Sequence, residues 1–451
     1  MNKRQITIIT AFIIIVVLVV GWYSIGCPPL GSDRCPFFRP PKPPVATLTF
    51  WSPVDDGAAW QKIIAKFQDY KSKKENGNIE INITFKKITS RENYEQKIVD
   101  AQLAGKGPDI FAAFHTWVPR YQQQNRIVPF QGMDILEFKN TYAKVTRDDL
   151  IIDGKIYALP MYIDTPALFY NEDMFLNEGF LKPPKTWDEF VDYTEKLTRY
   201  DKKGNIIRAG AAIGGGTNIN RSMDILSLML LQKGLIIFDK NGKTDLNSSE
   251  AQKVIEFYTS FTNPEKRYYT WNDQLDYSID MFAVERKAAM MINYTHHIDN
   301  IDKKSQGKLD YKIAPVPQFS EKDKINYAQY WVPLVAREGS CVKDKKITTS
   351  CQQLAWEFLE FAARPENARL YSEISKKPPA IMSLAKSMSA PEGTGVFASQ
   401  VLTARSWHHP NDAYSDRILV DMINSIVTTD EEKRVSISQA ANYAASKLGG
   451  Y

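Results

Sequence analysis

Histidine and cysteine are scarce in this chain. It contains five His and four Cys among 451 residues, and it has neither a Cys-x-x-Cys pair nor a His-Glu-x-x-His sequence. Zinc sites and dithiol redox centres are built on such spacings. The adjacent histidine pairs make poor chelates, because neighbouring side chains project in different directions. We therefore predict no metal site and no cofactor.

Motifs for nucleophilic and phosphate chemistry are absent as well. The chain has no Gly-x-Ser-x-Gly elbow and no Walker phosphate loop. The paired carboxylates Asp55-Asp56 and Asp148-Asp149 are interpreted as helix caps and solvated turns. We therefore predict no catalytic residue and no enzyme. A glycosidase, which needs two carboxylates facing across a cleft, stays open as an alternative.

Neither sign of charge is in large excess. The 57 Lys and Arg residues against 52 Asp and Glu give a net charge of +5, whereas a nucleic-acid-binding protein is usually more basic. Hydrophobic residues make up 43% and charged residues 24%, which is typical of a globular protein. Aromatic residues are plentiful at 12%, with 9 Trp and 22 Tyr. We expect no nucleic-acid partner and look among the aromatic rings for ligand contacts.

One long uncharged run lies at the N-terminus. Residues 6–25 are dominated by Ile and Val, and Lys3 and Arg4 precede them. A run of this length can span a bilayer, and its side chains favour insertion by about 5 kcal/mol. We predict an uncleaved signal anchor, a single transmembrane helix within 1–25, with the bulk of the chain outside the cytoplasm. The competing interpretation is a lipoprotein processed at Cys27, although Ser24 stands where an aliphatic residue is usual.

Proline is concentrated directly after this run. Seven of the 24 prolines lie in residues 26–44. In polyproline II form, at about 3.1 Å per residue, a segment of this length reaches roughly 60 Å. Residues 26–44 are therefore predicted to form a stalk.

The four cysteines form two local pairs, Cys27 with Cys35 and Cys341 with Cys351. Such pairs are expected to oxidise outside the membrane. A bridge between Cys341 and Cys351 would close a loop of about eleven residues and add roughly 2.7 kcal/mol of stability. Whether Cys27 pairs with Cys35 stays open, and so does the role of the segment Gly339–Cys351.

Apolar residues in the body follow two periodicities. Val45–Trp51, Ile79–Ile88 and Asp109–Phe114 are predicted strands, and helix patterns follow the first two. Thr186–Glu189 and Asn247–Glu250 match the capping boxes of later helices. Strands that alternate with helices predict an α/β sheet rather than a β-sandwich.

Seven short segments occur in a fixed order over most of residues 45–385. They are Leu48–Trp51, Tyr94–Ile98 with Gly107–Ile110, Asp153–Pro160, Leu168–Phe175, Pro183–Phe190, Lys287–Ile292 and Ala355–Leu359. In this order they resemble the bacterial extracellular solute-binding proteins of the family that includes maltose-binding protein. The resemblance implies a two-lobed α/β, periplasmic-binding-protein-like fold with a hinged cleft that closes on its ligand. It also implies a monomer that delivers a sugar or oligosaccharide to an ABC transporter permease.

The resemblance also implies how the chain is divided. We expect an N-terminal lobe of residues 45–160 plus about 275–330. The C-terminal lobe is expected to contain residues 161–274 plus about 331–451.

Candidate ligand contacts lie at the strand ends and crossovers of the matched segments. Sugars present C–H faces that stack on aromatic rings and hydroxyls that need polar partners. The candidates are Trp51, His115, Trp117, Tyr162, Asp164, Asn293, Tyr294, His296 and Trp331. Asp164 and Tyr162 are preferred, because an acidic residue in a crossover has little packing reason to be there. Trp51 and Trp331 could equally be core residues of a lobe.

Two departures from the family pattern limit the choice of cargo. Arg286-Lys287 stands where the family has Gly-Lys, and His296 aligns with a stacking Trp of the maltose-type members. A smaller polar ring weakens stacking, so maltodextrin itself is not assumed. Three alternatives stay open: a binding protein for a peptide, polyamine or polyol phosphate, a stalked carbohydrate-active hydrolase, and a sensor subunit of a membrane kinase.

Overall fold

The computed structural model describes residues 2, 10–17, 42–54, 56–75, 79–89, 93–239, 242–407 and 412–449. Residues 10–17 are helical, and no helix within the described ranges is long and apolar enough to cross a membrane. The predicted anchor and stalk lie largely outside the described residues, as do Cys27 and Cys35.

The body contains strands and helices in alternation. The strands are β1 (Val45–Ser52), β2 (Glu80–Lys87), β3 (Ile110–Phe114), β4 (Ile151–Ile152), β5 (Lys155–Ile156), β6 (Ala167–Asn171), β7 (Arg199–Tyr200), β8 (Ile206–Arg208), β9 (Met290–Asn293), β10 (Tyr311–Ala314), β11 (Asn326–Tyr327), β12 (Trp331–Val335), β13 (Val342–Lys343) and β14 (Ala404–Arg405). The longer helices are α1 (Gly57–Lys74), α2 (Tyr94–Leu103), α3 (Val118–Gln123), α4 (Ile135–Thr141), α5 (Val145–Leu150), α6 (Glu172–Asn177), α7 (Trp187–Leu197), α8 (Ser222–Gln232), α9 (Ser249–Thr259), α10 (Ser278–Ala283), α11 (Ile298–Ser305), α12 (Cys351–Ala362), α13 (Pro365–Ser375), α14 (Met382–Met388), α15 (Gly395–Val401), α16 (Asp412–Val427) and α17 (Ile437–Gly449).

The first lobe is built on a five-stranded sheet. Its path is β12-β3-β1-β13, and β2 also pairs with β1. Strands β2 and β3 run parallel to β1, whereas β12 and β13 are antiparallel additions. Alternate residues of β1 are buried, and Phe50 packs edge-to-face on Trp60 of α1 at 4.8 Å. This alternation is the period of two of a strand with one face against the core.

The second lobe is built on the antiparallel sheet β10-β6-β9. Every residue of β6 and β9 is buried. Residues Ala209 and Ala212 extend this sheet by parallel bridges to the segment of β9. Strands buried on both faces read as continuous apolar runs, which is why they carry no alternation in the sequence.

The predicted division of the chain between the lobes is wrong for its later part. Strand β9, within the segment 275–330, pairs with β6 of the second lobe. Strand β12, within the segment 331–451, pairs with β3 of the first lobe. The first core draws on residues 46–163 and 328–385 with Val401 and Ala404. The second draws on residues 167–316 and 418–448 with Tyr327, Val396, Phe397 and Trp407. A short buried strand can join either sheet, and only its tertiary partners decide which.

Cys341 and Cys351 form the predicted disulfide. The bridge encloses β13, whose Lys343 pairs with Ala46 on the edge of the first sheet. Next to it, the backbone N–H of Cys341 donates to Asp109 Oδ1 at 2.8 Å. The segment 339–351, which had no assigned role, therefore fastens an extra edge strand to the first sheet and leads into α12.

Arg286 adopts a left-handed backbone conformation, with φ +54°, at the position where the family pattern has glycine. This conformation is costly for residues with a Cβ. We expect Arg286→Gly to raise the free energy of unfolding by about 0.5–1 kcal/mol in urea denaturation, since glycine adopts positive φ freely. The neighbouring exposed Lys287 lacks a positive φ, so Lys287→Gly should be destabilising. Equal losses of unfolding free energy in Arg286→Gly and Lys287→Gly would contradict this interpretation.

Candidate functional site

A cavity of about 240 Å³ lies where the two lobes meet. The first lobe lines it with Pro53, Val54, Phe114, Tyr162, Tyr330, Trp331 and Lys377, the second lobe with Arg221, Tyr294 and His296, and the crossover strands with Asp164 and Gln329. A molecule bound here would contact both lobes and the connection between them.

Two crossover strands are paired at the floor of the cavity. The N–H of Asp164 donates to the carbonyl of Gln329 at 3.1 Å, and the N–H of Gln329 donates back at 2.9 Å. Beside them, the side-chain amide of Gln400 donates to the carbonyl of Pro166 at 2.8 Å. Because the chain passes between the lobes at these residues, small backbone rotations here would change the width of the cleft.

Asp164 lines the cavity as predicted, but its carboxylate is already engaged by the protein. Oδ2 accepts from Thr295 Oγ1 at 2.7 Å and lies 3.3 Å from His296 Nδ1, while Oδ1 accepts from the N–H of Thr165 at 3.1 Å. The side chain therefore holds the 295–296 turn of the second lobe against the crossover. Its predicted role as a direct acceptor for ligand hydroxyls stays a prediction.

His296 joins Asp164 to an arginine of the second lobe. Its Nε2 lies 3.3 Å from Arg221 Nη2. A guanidinium can only donate and a carboxylate can only accept, so we assign the tautomer with the proton on Nδ1. Burial lowers the pKa of His296 from its usual 6.5, and the Asp164 carboxylate opposes this shift. The ring is therefore neutral at neutral pH.

Arg221 is a cavity residue that no sequence pattern marked. It precedes α8 with a left-handed φ of +62°, and its guanidinium carbon lies 5.5 Å from the centre of the Tyr294 ring. Nη1 is 3.9 Å from Asp224 Oδ2, and the other oxygen of Asp224 accepts from Gln329 Nε2 at 2.8 Å. The charged group is thus held at the cavity wall with its side chain 21% exposed.

Lys377 faces the cavity from the first lobe and was also missed. Its buried Nζ lies 4.3 Å from the centre of the Tyr162 ring and 3.9 Å from Asp56 Oδ2. Asp56 accepts from Trp60 Nε1 at 3.0 Å and from the Tyr371 hydroxyl at 2.5 Å. Burial raises the pKa of Asp56, and Lys377 opposes that shift.

The interpretation of the paired aspartates as caps and solvated turns is wrong for two of them. Asp56 precedes α1 but makes no capping hydrogen bond, because its carboxylate turns toward Trp60. Asp149 lies 2.9 Å from His115 Nδ1 and accepts from the Tyr330 hydroxyl at 2.6 Å. Both carboxylates satisfy internal donors of the first lobe. Asp55 lies outside the described residues.

Trp331 forms an aromatic wall of the cavity. The ring is half-buried and makes edge-to-face contacts with Tyr94 at 5.8 Å, Phe114 at 5.6 Å and Trp117 at 5.2 Å. Its backbone N–H donates to the Tyr162 hydroxyl at 3.2 Å. These contacts hold the indole in place in the cavity wall.

Four of the predicted contacts do not line the cavity. His115 is fully buried and stacks on Tyr330 at 4.3 Å, and Trp117 braces Trp331 from behind. Asn293 is fully buried and accepts from the N–H of Tyr294. Trp51 lies on β1 with the Lys86 ammonium 4.9 Å from its ring. Each lies at or just after the end of a strand, but it does not line the cavity.

Within the described part of the chain, no three His, Cys, Asp or Glu side chains are grouped so that they could hold a metal ion. His408 and His409 lie outside those residues. Lys, Arg, Gln and aromatic side chains make up most of the described cavity wall, together with Asp164 and His296.

The chain is similar to known proteins in its family pattern, its sequence and its fold. The family model described as bacterial extracellular solute-binding protein matches residues 51–369. The maltodextrin-binding protein MdxE of Bacillus subtilis (strain 168) is 25% identical over 290 residues, 61% of either chain. The sn-glycerol-3-phosphate-binding periplasmic protein UgpB of Shigella flexneri serotype 5b is 25% identical over 345 residues, 72% of either chain. A putative binding protein of Brucella abortus (strain 2308) is 25% identical over 235 residues, which span only 52% of its length.

Solved structures share the fold. The sugar-binding protein MalE from Xanthomonas citri superposes with a TM-score of 0.70 at 16% identity, covering 90% of this chain and 98% of that one. UgpB from Mycobacterium tuberculosis, in complex with glycerophosphocholine, gives 0.68 at 17% identity, covering 89% and 97%. The predicted two-lobed α/β architecture is thereby confirmed.

Proposed function

Because this chain belongs to the bacterial extracellular solute-binding proteins, we propose that it captures a solute between its two lobes outside the cytoplasm and delivers it to an ABC transporter permease. The observation that carries this proposal is the cavity at the paired crossovers, lined from both lobes. A solute that contacts both walls favours the closed arrangement by its differential affinity for it.

A sugar or oligosaccharide is the proposed cargo. Trp331 offers a braced indole face on which the C–H face of a sugar ring can stack. A polyamine fits this lining poorly, because Arg221 and Lys377 both present positive charge to the cavity. The chain is proposed to act as a monomer and without catalysis.

We further propose that 1–25 anchors the protein in the membrane and that 26–44 is the stalk of a single-pass protein. The uncharged run and the prolines support this arrangement. A tethered receptor needs such reach to meet its solute and then dock on a permease beside it. Release from membranes by a salt wash alone would contradict the anchor. A mass that matches lipidation at Cys27 would support the lipoprotein instead.

A thermal-shift screen of the purified full-length chain tests the function. Neutral sugars, acidic sugars, polyol phosphates, peptides and polyamines would each be added in separate samples. A ligand at one hundred times its Kd should stabilise the protein by about 2.7 kcal/mol. Stabilisation by a peptide or polyamine and by no carbohydrate would overturn the carbohydrate cargo. Consumption of an oligosaccharide during the assay would overturn the absence of catalysis.

A further inference from the structure

In the described part of the chain, the backbone passes between the two lobes at four places. It changes cores between the members of these pairs: Ile163 and Ala167, Tyr327 and Ala328, Phe397 and Val401, and Ala404 and Trp407. Three of the passages lie side by side, because Asp164 pairs with Gln329 and β11 pairs with β14. We call residues 164–166, 326–330 and 403–406 the crossover ribbon. Closure of the lobes has to bend this ribbon.

One carboxylate of the first lobe holds two segments of the crossover ribbon. Asp149, in α5, accepts from the Tyr330 hydroxyl through Oδ2 and from the Ser406 hydroxyl through Oδ1, both at 2.6 Å. Tyr330 comes shortly after one passage, and Ser406 lies within another. Hydrogen bonds to an ionised carboxylate are shorter and stronger than those between neutral groups. Asp149 therefore fastens two distant parts of the chain to the same point of the first lobe.

His115 holds the same tyrosine from another side. Its ring stacks on the Tyr330 ring, with centroids 4.3 Å apart and planes 5° from parallel. Its backbone N–H donates to the Tyr330 carbonyl at 3.1 Å, and its Nδ1 lies 2.9 Å from Asp149 Oδ2. The face, the hydroxyl and the carbonyl of Tyr330 are thus all held by the first lobe.

The second lobe holds the residue just before Tyr330. Gln329 Nε2 donates to Asp224 Oδ1 of α8 at 2.8 Å. Beside it in the ribbon, Asp164 Oδ2 accepts from Thr295 Oγ1 of the second lobe at 2.7 Å. Successive side chains of an extended chain point in opposite directions, so neighbouring residues can reach different lobes. The attachment of the ribbon therefore changes from one lobe to the other between Gln329 and Tyr330.

From these contacts we propose that Asp149 is a positioning residue of the hinge. By holding Tyr330 and Ser406, it makes these parts of the ribbon move with the first lobe, so that closure pivots between Gln329 and Tyr330. This inference rests on the proposed function and adds a residue that controls solute capture through the hinge. Asp149 is outside the described lining of the cavity, whereas Tyr330 is part of it. Without Asp149, the ribbon would be free to follow either lobe, and the lobes would sample a wider range of separations.

Hydrogen–deuterium exchange of the full-length chain in detergent, without added solute, tests this role. The N–H groups of Asn326 and Ala328 donate across the ribbon to the carbonyls of Thr403 and Arg405. Asp149→Asn keeps the shape of the side chain but replaces one acceptor oxygen by a donor. We expect it to raise the exchange rates of these two amides about tenfold, because the ribbon opens locally more often. Ser406→Ala removes only one of the two hydroxyl contacts and should raise them about threefold.

Asp109→Asn is the matched control. Asp109 is also a buried carboxylate of the first lobe, and it accepts from the N–H of Thr49 at 2.7 Å and from the N–H of Cys341 at 2.8 Å. These contacts join β1 to the disulfide segment at the edge of the sheet and involve no residue of the ribbon. The control should lower the free energy of unfolding and leave exchange in the ribbon within about twofold of the parent. The same pattern in Asp149→Asn would reduce Asp149 to a structural residue and overturn the inference.

Single-molecule energy transfer measures the motion of the lobes directly. Dyes on non-natural amino acids would replace Lys97 of α2 and Lys253 of α9, which are exposed on the first and the second lobe. Asp149→Asn should widen the distribution of inter-lobe distances about 1.5-fold or more, and Asp109→Asn should leave it unchanged. An unchanged distribution in Asp149→Asn would overturn the hinge role. If that variant fails to fold, Ser406→Ala decides in its place.

The outcomes also separate the inference from the function on which it rests. Both measurements are made without solute, so their result does not depend on which solute the protein binds. Parent-like exchange and distances in the Asp149 and Ser406 variants would overturn the inference and leave solute capture in place. Binding of no solute in the thermal-shift screen would instead overturn the proposed function.

Discussion

Replacement of Asp56 by Ala is expected to lower the free energy of unfolding by about 3–5 kcal/mol, the loss typical when one partner of a buried charge pair is removed. The variant would leave the buried Lys377 ammonium without the carboxylate that lies 3.9 Å away. Trp60 Nε1 and the Tyr371 hydroxyl would lose the acceptor to which they donate at 3.0 and 2.5 Å. Asp56→Asn keeps an acceptor oxygen, so its free energy of unfolding should fall by less than that of Asp56→Ala.

Urea denaturation at neutral pH measures this effect. The control is Asp188→Ala, which removes an exposed carboxylate from the first turn of α7 and should cost under about 1 kcal/mol. Comparable losses of unfolding free energy in Asp56→Ala and Asp188→Ala would show that Asp56 does not stabilise the buried Lys377 ammonium.

The same residue gives a pH signature. Burial holds the pKa of folded Asp56 above its usual 3.8, so the folded state binds this proton more tightly than the unfolded state. The contribution of Asp56 to the free energy of unfolding therefore falls as the pH rises from below 3.8 through the raised value. Asp56→Asn should flatten this part of the stability profile. An unchanged profile in the variant would contradict the burial of an ionisable Asp56.

Replacement of Trp331 by Ala is expected to weaken solute binding by about 2–3 kcal/mol, roughly 30- to 150-fold, in isothermal titration. The indole forms a wall of the cavity and is held there by Tyr94, Phe114 and Trp117. Its removal deletes a large contact area that is rigid before the ligand arrives. Trp331→Phe keeps part of that area and should lose less affinity.

Trp117→Ala is the matched control for this experiment. Trp117 packs edge-to-face on Trp331 at 5.2 Å but does not line the cavity. Trp117→Ala should therefore lower the free energy of unfolding. It should weaken solute binding by less than about tenfold, because only the support behind the Trp331 indole is lost. An affinity loss in the control as large as in Trp331→Ala would remove Trp331 from the set of ligand contacts.

Local structure was predictable because its causes are local. The predicted strand Val45–Trp51 is β1, and the apolar run after Asp109 is β3. Thr186 caps α7 as its sequence predicted, by accepting from the N–H of Glu189. The cap of α9 is Ser248, one residue beyond the predicted Asn247. Errors of one residue are expected where two capping side chains stand side by side.

The candidate site was only partly predictable. Strand ends and crossovers pointed to Tyr162, Asp164, Tyr294, His296 and Trp331, which all line the cavity, and their contact with a ligand stays a prediction. The same rule failed for the other four candidates, since a strand end gives the position of a residue and not the direction of its side chain. Arg221 and Lys377 were missed, because a basic residue in a polar segment looks like any solvated charge.

The sequence by itself determined the α/β class, the family, the pairing of Cys341 with Cys351 and the aromatic supply of the cleft. Hydrophobic periodicity, cysteine spacing and short ordered motifs each involve only a few neighbouring residues, so they can be recognised before the fold is known. Only the tertiary structure decided which lobe receives β9 and β12, and which charges meet. Arg221 and Lys377 are far apart in the chain and face one cavity solely because the crossovers bring the two lobes together. The recognition chemistry of the cleft therefore belongs to the assembled lobes and to neither lobe alone.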